Sequence, residues 1–119
     1  MARFEIYCGS TLIGHSELEA GDAPMGVAGG RFLPLPSYRQ LQPRVVALRE
    51  TSQQELALSV CMAGGGFLPA QGGVQIFDYS ADLGAEGLEV HVNGIPYPLY
   101  GEMFPNLVAA YERQFKSEG

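Results

Sequence analysis

The segment Arg3-Phe4-Glu5-Ile6-Tyr7-Cys8-Gly9-Ser10-Thr11-Leu12-Ile13-Gly14-His15-Ser16-Glu17-Leu18 decides the fold class. Apolar and polar residues alternate from Arg3 to Cys8 and from Leu12 to Leu18, on either side of Gly9-Ser10. That period belongs to a strand with one buried face, so the segment predicts a β-hairpin. A two-residue Gly9-Ser10 turn would pair Phe4 with His15. A three-residue loop, Gly9 to Thr11, would pair Glu5 with His15 and Arg3 with Glu17. The longer loop also aligns Phe4, Ile6, Cys8, Leu12 and Leu18 on one face. Register follows the buried face, so the longer loop is expected, with His15 on the solvent side beside a carboxylate.

Further strands follow from the same logic. Leu56–Met62, Val74–Tyr79 and Leu88–Asn93 are strand-like, and Asn93-Gly94 supplies a turn. Ala20–Gly30 is expected to be a loop, because Gly21, Gly26, Gly29 and Gly30 punctuate it. Pro34 and Pro36 exclude regular interior helix or central strand around them. Ser37 with Gln40 fits a capping box, predicting a short helix from Tyr38 to about Gln42 that Pro43 ends or kinks. Arg44–Glu50 is ambiguous. Its β-branched pair favours a strand in which Val46 and Leu48 face Val60 and Leu58. Phe104, Leu107, Val108, Tyr111 and Phe115 form one apolar helical stripe with Pro105 in the first turn, and Glu112–Lys116 is a favourably oriented pair on it. No internal repeat or composition break divides the chain. The expectation is a single α+β domain over residues 1–119, with five or six mostly antiparallel strands in a sheet free to curl or become barrel-like, a short middle helix and an amphipathic C-terminal helix.

Composition narrows the function classes. The 119 residues are 46% hydrophobic and 17% charged, with net charge −6. Such a chain has enough apolar content to fold without disulfide or metal staples. An acidic balance disfavours nucleic acid and anionic membrane as partners. No apolar run approaches the ~20 residues of a membrane span, and Met1–Ile6 carries no hydrophobic signal core, so the expected localisation is cytoplasmic. Cys8, Cys61, His15 and His91 are scattered singly rather than in the close pairs of a zinc site. No metal and no cofactor is expected.

Charge is segregated along the chain. Arg31, Arg39, Arg44 and Arg49 lie in an acid-free stretch, whereas residues 51–111 contain no lysine or arginine. The Gly26–Arg31 segment lacks the Lys-Ser/Thr and the following helix of a phosphate loop. The surviving anion reading places a carboxylate or phosphate ligand near Arg31 and Arg39. The Asp78, Ser80, Asp82 and Glu86 spacing departs from a calcium loop, and Ser80 is expected to cap a helical turn instead. No catalytic signature surrounds any serine or cysteine. A His91 base oriented by Asp78 or Asp82 is the one enzymatic arrangement the spacing admits.

The segment Ile95–Pro105 is rich in proline and tyrosine. Tyr97, Tyr100 and Met103, with Tyr38, are expected on an interaction surface, because Tyr and Met are enriched where partners dock. The sequence therefore points to a non-enzymatic protein-interaction or assembly module, homo-oligomeric or binding another protein. The alternative is a small-ligand domain or modest enzyme with an anionic ligand at Arg31 and Arg39.

Overall fold

A computed structural model describes residues 3–62 and 64–116. The fold is α+β, built on two antiparallel four-stranded sheets that do not close into a barrel. The first sheet contains β1 (Phe4–Cys8), β2 (Thr11–Ser16), β5 (Leu33–Pro34) and β6 (Leu58–Cys61), in the order β5-β2-β1-β6. The second contains β3 (Ala20–Asp22), β4 (Val27–Arg31), β7 (Gly73–Asp78) and β8 (Leu88–Asn93), in the order β3-β4-β8-β7. Four helices accompany them: α1 (Tyr38–Ala47), α2 (Ser80–Leu83), α3 (Leu99–Met103) and α4 (Pro105–Lys116).

The hairpin combines both registers weighed for it. At the tip Cys8 pairs with Thr11 and Tyr7 with Leu12, which is the two-residue turn at Gly9-Ser10. A bulge between Ile6 and Tyr7 then restores Glu5 opposite His15 and Phe4 opposite Ser16. The bulge keeps Phe4, Ile6 and Ile13 inside. Leu12, on the expected buried face, is instead only half-buried.

The glycine-rich segment is not a loop: it forms the β3–β4 hairpin. Gly29 pairs with His91 and Gly30 with Val90. A Cβ on Gly30 would collide with the Glu19 carboxylate, which accepts the Arg31 backbone N–H at 3.1 and 3.2 Å. This glycine serves close approach rather than a turn.

Helix α1 runs through Pro43 to Ala47, so Arg44–Glu50 is not a strand and Val60 pairs with Ile6 instead. Pro43 cannot donate to the Arg39 carbonyl one turn back, which costs about 3 kcal/mol in a helix interior. Tyr38, Leu41 and Val45 are buried at helical spacing, and each fully buried side chain of this kind returns about 1.5–3 kcal/mol. Packing outweighs the proline. Ser37 makes no side-chain cap; its hydroxyl donates to the Leu12 carbonyl at 2.6 Å, tying the helix start to β2.

At the C-terminal end Phe104, just before α4, is buried, Leu107 and Val108 are half-buried, and Tyr111 is exposed, so among the described side chains the apolar stripe grows more exposed along the helix. Phe104 stacks on Phe4 at 5.7 Å and contacts Tyr100 at 5.2 Å, which anchors α3 and α4 to β1. The expected Glu112–Lys116 pair and Phe115 lie outside the described side chains.

Three of the four sheet edges, β5, β6 and β7, are blunted. β5 is short and carries Pro34, while the Cys61–Phe67 bridge covers part of β6. On β7, the Gln53 side chain acts as a substitute strand: its Oε1 accepts the Ile76 N–H at 2.7 Å and its Nε2 donates to the Ile76 carbonyl at 2.8 Å. An open ladder would template pairing with another chain. Gln53 prevents that on β7.

Candidate functional site

Asp78 is the buried charge at the centre of the fold. It ends β7 on the inner face, 1% exposed, and its Oδ2 accepts the Tyr38 hydroxyl at 2.6 Å and Gln42 Nε2 at 3.0 Å. The other carboxylate oxygen takes the Ser80 N–H at 2.9 Å and the Ser80 hydroxyl. Burial pushes the Asp78 carboxyl up, but the donors from Ser80, Tyr38 and Gln42 together outweigh it and hold it below its ordinary value. Burial, followed by the bond to Asp78, raises the Tyr38 phenol far above the normal range. Ser80 therefore donates to Asp78 rather than capping a helix as an acceptor, since α2 has no side-chain cap. Asp78 is saturated with donors and structural.

His91 meets neither Asp78 nor Asp82; the carboxylate beside it is Glu89. Gln75 and Gly29 flank His91, whereas Asp78 pairs with Leu88. Asp78 points inward with Ile76 and Val90, and His91 lies on the opposite face. There its Nε2 meets Glu89 Oε1 at 3.3 Å and its ring meets Phe77 edge-on at 4.8 Å. Alternation within β8 decides this, because residues an odd number apart face opposite sides. Cys8 and Cys61 are free and half-buried, with the Cys8 thiol donating to the Leu56 carbonyl at 3.0 Å. Among the described residues no group of three His, Cys, Asp or Glu side chains converges to hold a metal ion.

Arg31 and Arg39 line different recesses. Arg31 opens into a groove of about 560 Å³ whose wall includes Glu17, Glu19, Glu86 and Glu89. Its guanidinium lies 4.0 Å from Glu86. An anion there would face four carboxylates. Arg39 borders a recess of about 350 Å³ beside Pro34, Leu35 and Pro36. The arginine and acid blocks meet within one chain: Arg44 pairs with Glu55 at 3.1 Å, and Arg49 donates to the Asp78 carbonyl at 3.0 Å and lies 4.4 Å over the Tyr79 ring. Arg39 makes no ion pair among the described residues.

The expected tyrosine surface divides. Tyr38 is 3% exposed and Tyr100 is 0% exposed, so both are core residues. Tyr100 donates to the Val27 carbonyl at 2.8 Å, and burial, with Tyr97 and Asp22 nearby, pushes its phenol up to about 12. Met103 is half-buried. Tyr97 alone stays outside, 53% exposed, with its hydroxyl donating to the Ala23 carbonyl at 2.7 Å. That bond fixes the ring beside the turn that carries Met25, itself 68% exposed. Sequence reasoning did not single out Met25 or Phe67, the latter 63% exposed and braced edge-on against Tyr7 at 6.2 Å. Their only signal was a large apolar residue beside glycine. No family model, no curated protein and no solved structure matches the chain.

Proposed function

We propose that the chain is a non-enzymatic interaction module that assembles with copies of itself. One observation carries this reading: Met25, Phe67, Leu83 and Tyr97 keep more than half of their surface in solvent, on a chain of low charge content. Exposed apolar groups favour docking where they lie together, as Tyr97 and Met25 do beside the Ala23–Gly26 turn. Tyr97 is suited to that task, because the bond at its tip immobilises the ring before any partner arrives. Several charged groups are spent internally: Asp78 is saturated, and Arg31, Arg44 and Arg49 are engaged within the chain. The blunted edges at β5, β6 and β7 disfavour strand addition there and leave side-chain surfaces for association.

Sedimentation velocity combined with light scattering tests the proposal over a wide concentration range. A mass above that of one chain is expected. A monomer at the highest concentration reached overturns it.

A further inference from the structure

The two recesses beside β5 differ in sign and are direct neighbours. On the Leu33 side lies the acidic groove of Glu17, Glu19, Glu86 and Glu89, in which Arg31 is the single guanidinium. On the Pro34 side lies the recess whose one charged lining residue is Arg39. Leu88 contributes to the wall of both, so no other element intervenes. Between them Leu33 is 36% exposed on the edge strand of its sheet. Arg31 already has Glu86 beside it, but Arg39 has no carboxylate partner among the described residues.

An excess of acid and an unmatched cation, set to either side of the partly exposed Leu33, form a self-complementary patch. A two-fold axis through Leu33 would bring Arg39 of each copy to the acidic groove of the other and bury Leu33 against its own counterpart. Pro34 has no N–H to offer, and the Leu35 N–H is already given to the Ile13 carbonyl at 2.8 Å. The contact is therefore made by side chains rather than by a continued ladder.

We propose that a second copy of this chain docks across β5, with Arg39 seated in the partner's acidic groove. The proposal rests on the assembly reading above and places the contact at β5, on residues other than the exposed apolar groups that carry that reading. Charge complementarity selects this occupant, since the two halves of the patch match each other.

The test compares wild type, Arg39→Glu, Leu33→Asp and Arg113→Glu by sedimentation velocity and light scattering. Arg39→Glu and Arg113→Glu change net charge equally, and both side chains are exposed. Wild type is expected to be a dimer, with Arg39→Glu and Leu33→Asp each weakening it by about tenfold or more. Arg113→Glu should leave it unchanged. A dimer insensitive to both β5 variants, or equally sensitive to Arg113→Glu, overturns this surface while leaving assembly standing. A wild-type monomer overturns assembly itself, and the surface with it.

Discussion

The Tyr38 hydroxyl and the Asp78 carboxylate meet at 2.6 Å, joining the first turn of α1 to the last residue of β7. The bond links residues forty positions apart, and both partners are buried. Tyr38→Phe removes the donor while keeping the ring on Phe32, which it meets at 5.0 Å. The expected loss is about 1.5–3 kcal/mol, the range for a hydrogen bond to a charged group. Urea denaturation measures it; an unchanged midpoint would show that Ser80 and Gln42 suffice.

Asp78 also sets an acid limb. Its native pKa lies below its unfolded one, so its contribution is complete above the unfolded carboxylate range and is lost as pH falls through the lowered native value. Stability should therefore decline below about pH 4. Asp78→Asn should flatten that decline in thermal melts recorded from neutral to acid pH. Equal acid slopes in the two proteins would assign the limb to other carboxylates.

Gln53 guards the edge of β7. Gln53→Ala deletes both bonds to Ile76 and exposes a ladder position, for an expected loss of about 2 kcal/mol. Aggregation on storage should rise as well. Gln53→Glu keeps the acceptor for the Ile76 N–H but sets a buried carboxylate oxygen against the Ile76 carbonyl, and should be at least as destabilised as alanine at neutral pH. Chemical denaturation and turbidity follow the two effects separately.

Gly30→Ala tests the close approach of Glu19. The added methyl displaces the Glu19 carboxylate and frees the Arg31 N–H, so a loss of about 1–3 kcal/mol is expected. In the double variant Glu19→Ala with Gly30→Ala the obstacle is gone, and the added cost of the second change should shrink. Additive losses would show that the glycine is needed for another reason.

Locally encoded elements were legible in the sequence. Alternation marked the first hairpin, β7 and β8, and α4 followed from Pro105 and the helical spacing behind it. Legibility ended where distant partners overrode local preference. Pro43 argued for a helix end, yet the burial of Tyr38, Leu41 and Val45 carried the helix past it. Glycines 29 and 30 suggested a loop, but Glu19 and His91 fill the space their missing side chains leave. Of Tyr38, Tyr97, Tyr100 and Met103, all expected at the surface, only Tyr97 is exposed.

By itself, then, the sequence determined the α+β class, the antiparallel pairing and the charge segregation, because turn chemistry and side-chain period act over a few residues. Only the tertiary structure decided where the charges and tyrosines went. Arg44 and Arg49 met acids or carbonyls of their own chain, while Arg39 remained beside an acidic groove with none. Tyr38 and Tyr100 found acceptors 40 and 73 residues away and became core, while Tyr97 was pinned at its tip and left outside. A distant acceptor alone does not bury a phenol, since Tyr97 has one 74 residues away. Burial follows where the ring also packs on core neighbours, as Tyr38 does on Phe32 and Tyr100 on Phe104, and a one-dimensional pattern carries no information on those neighbours.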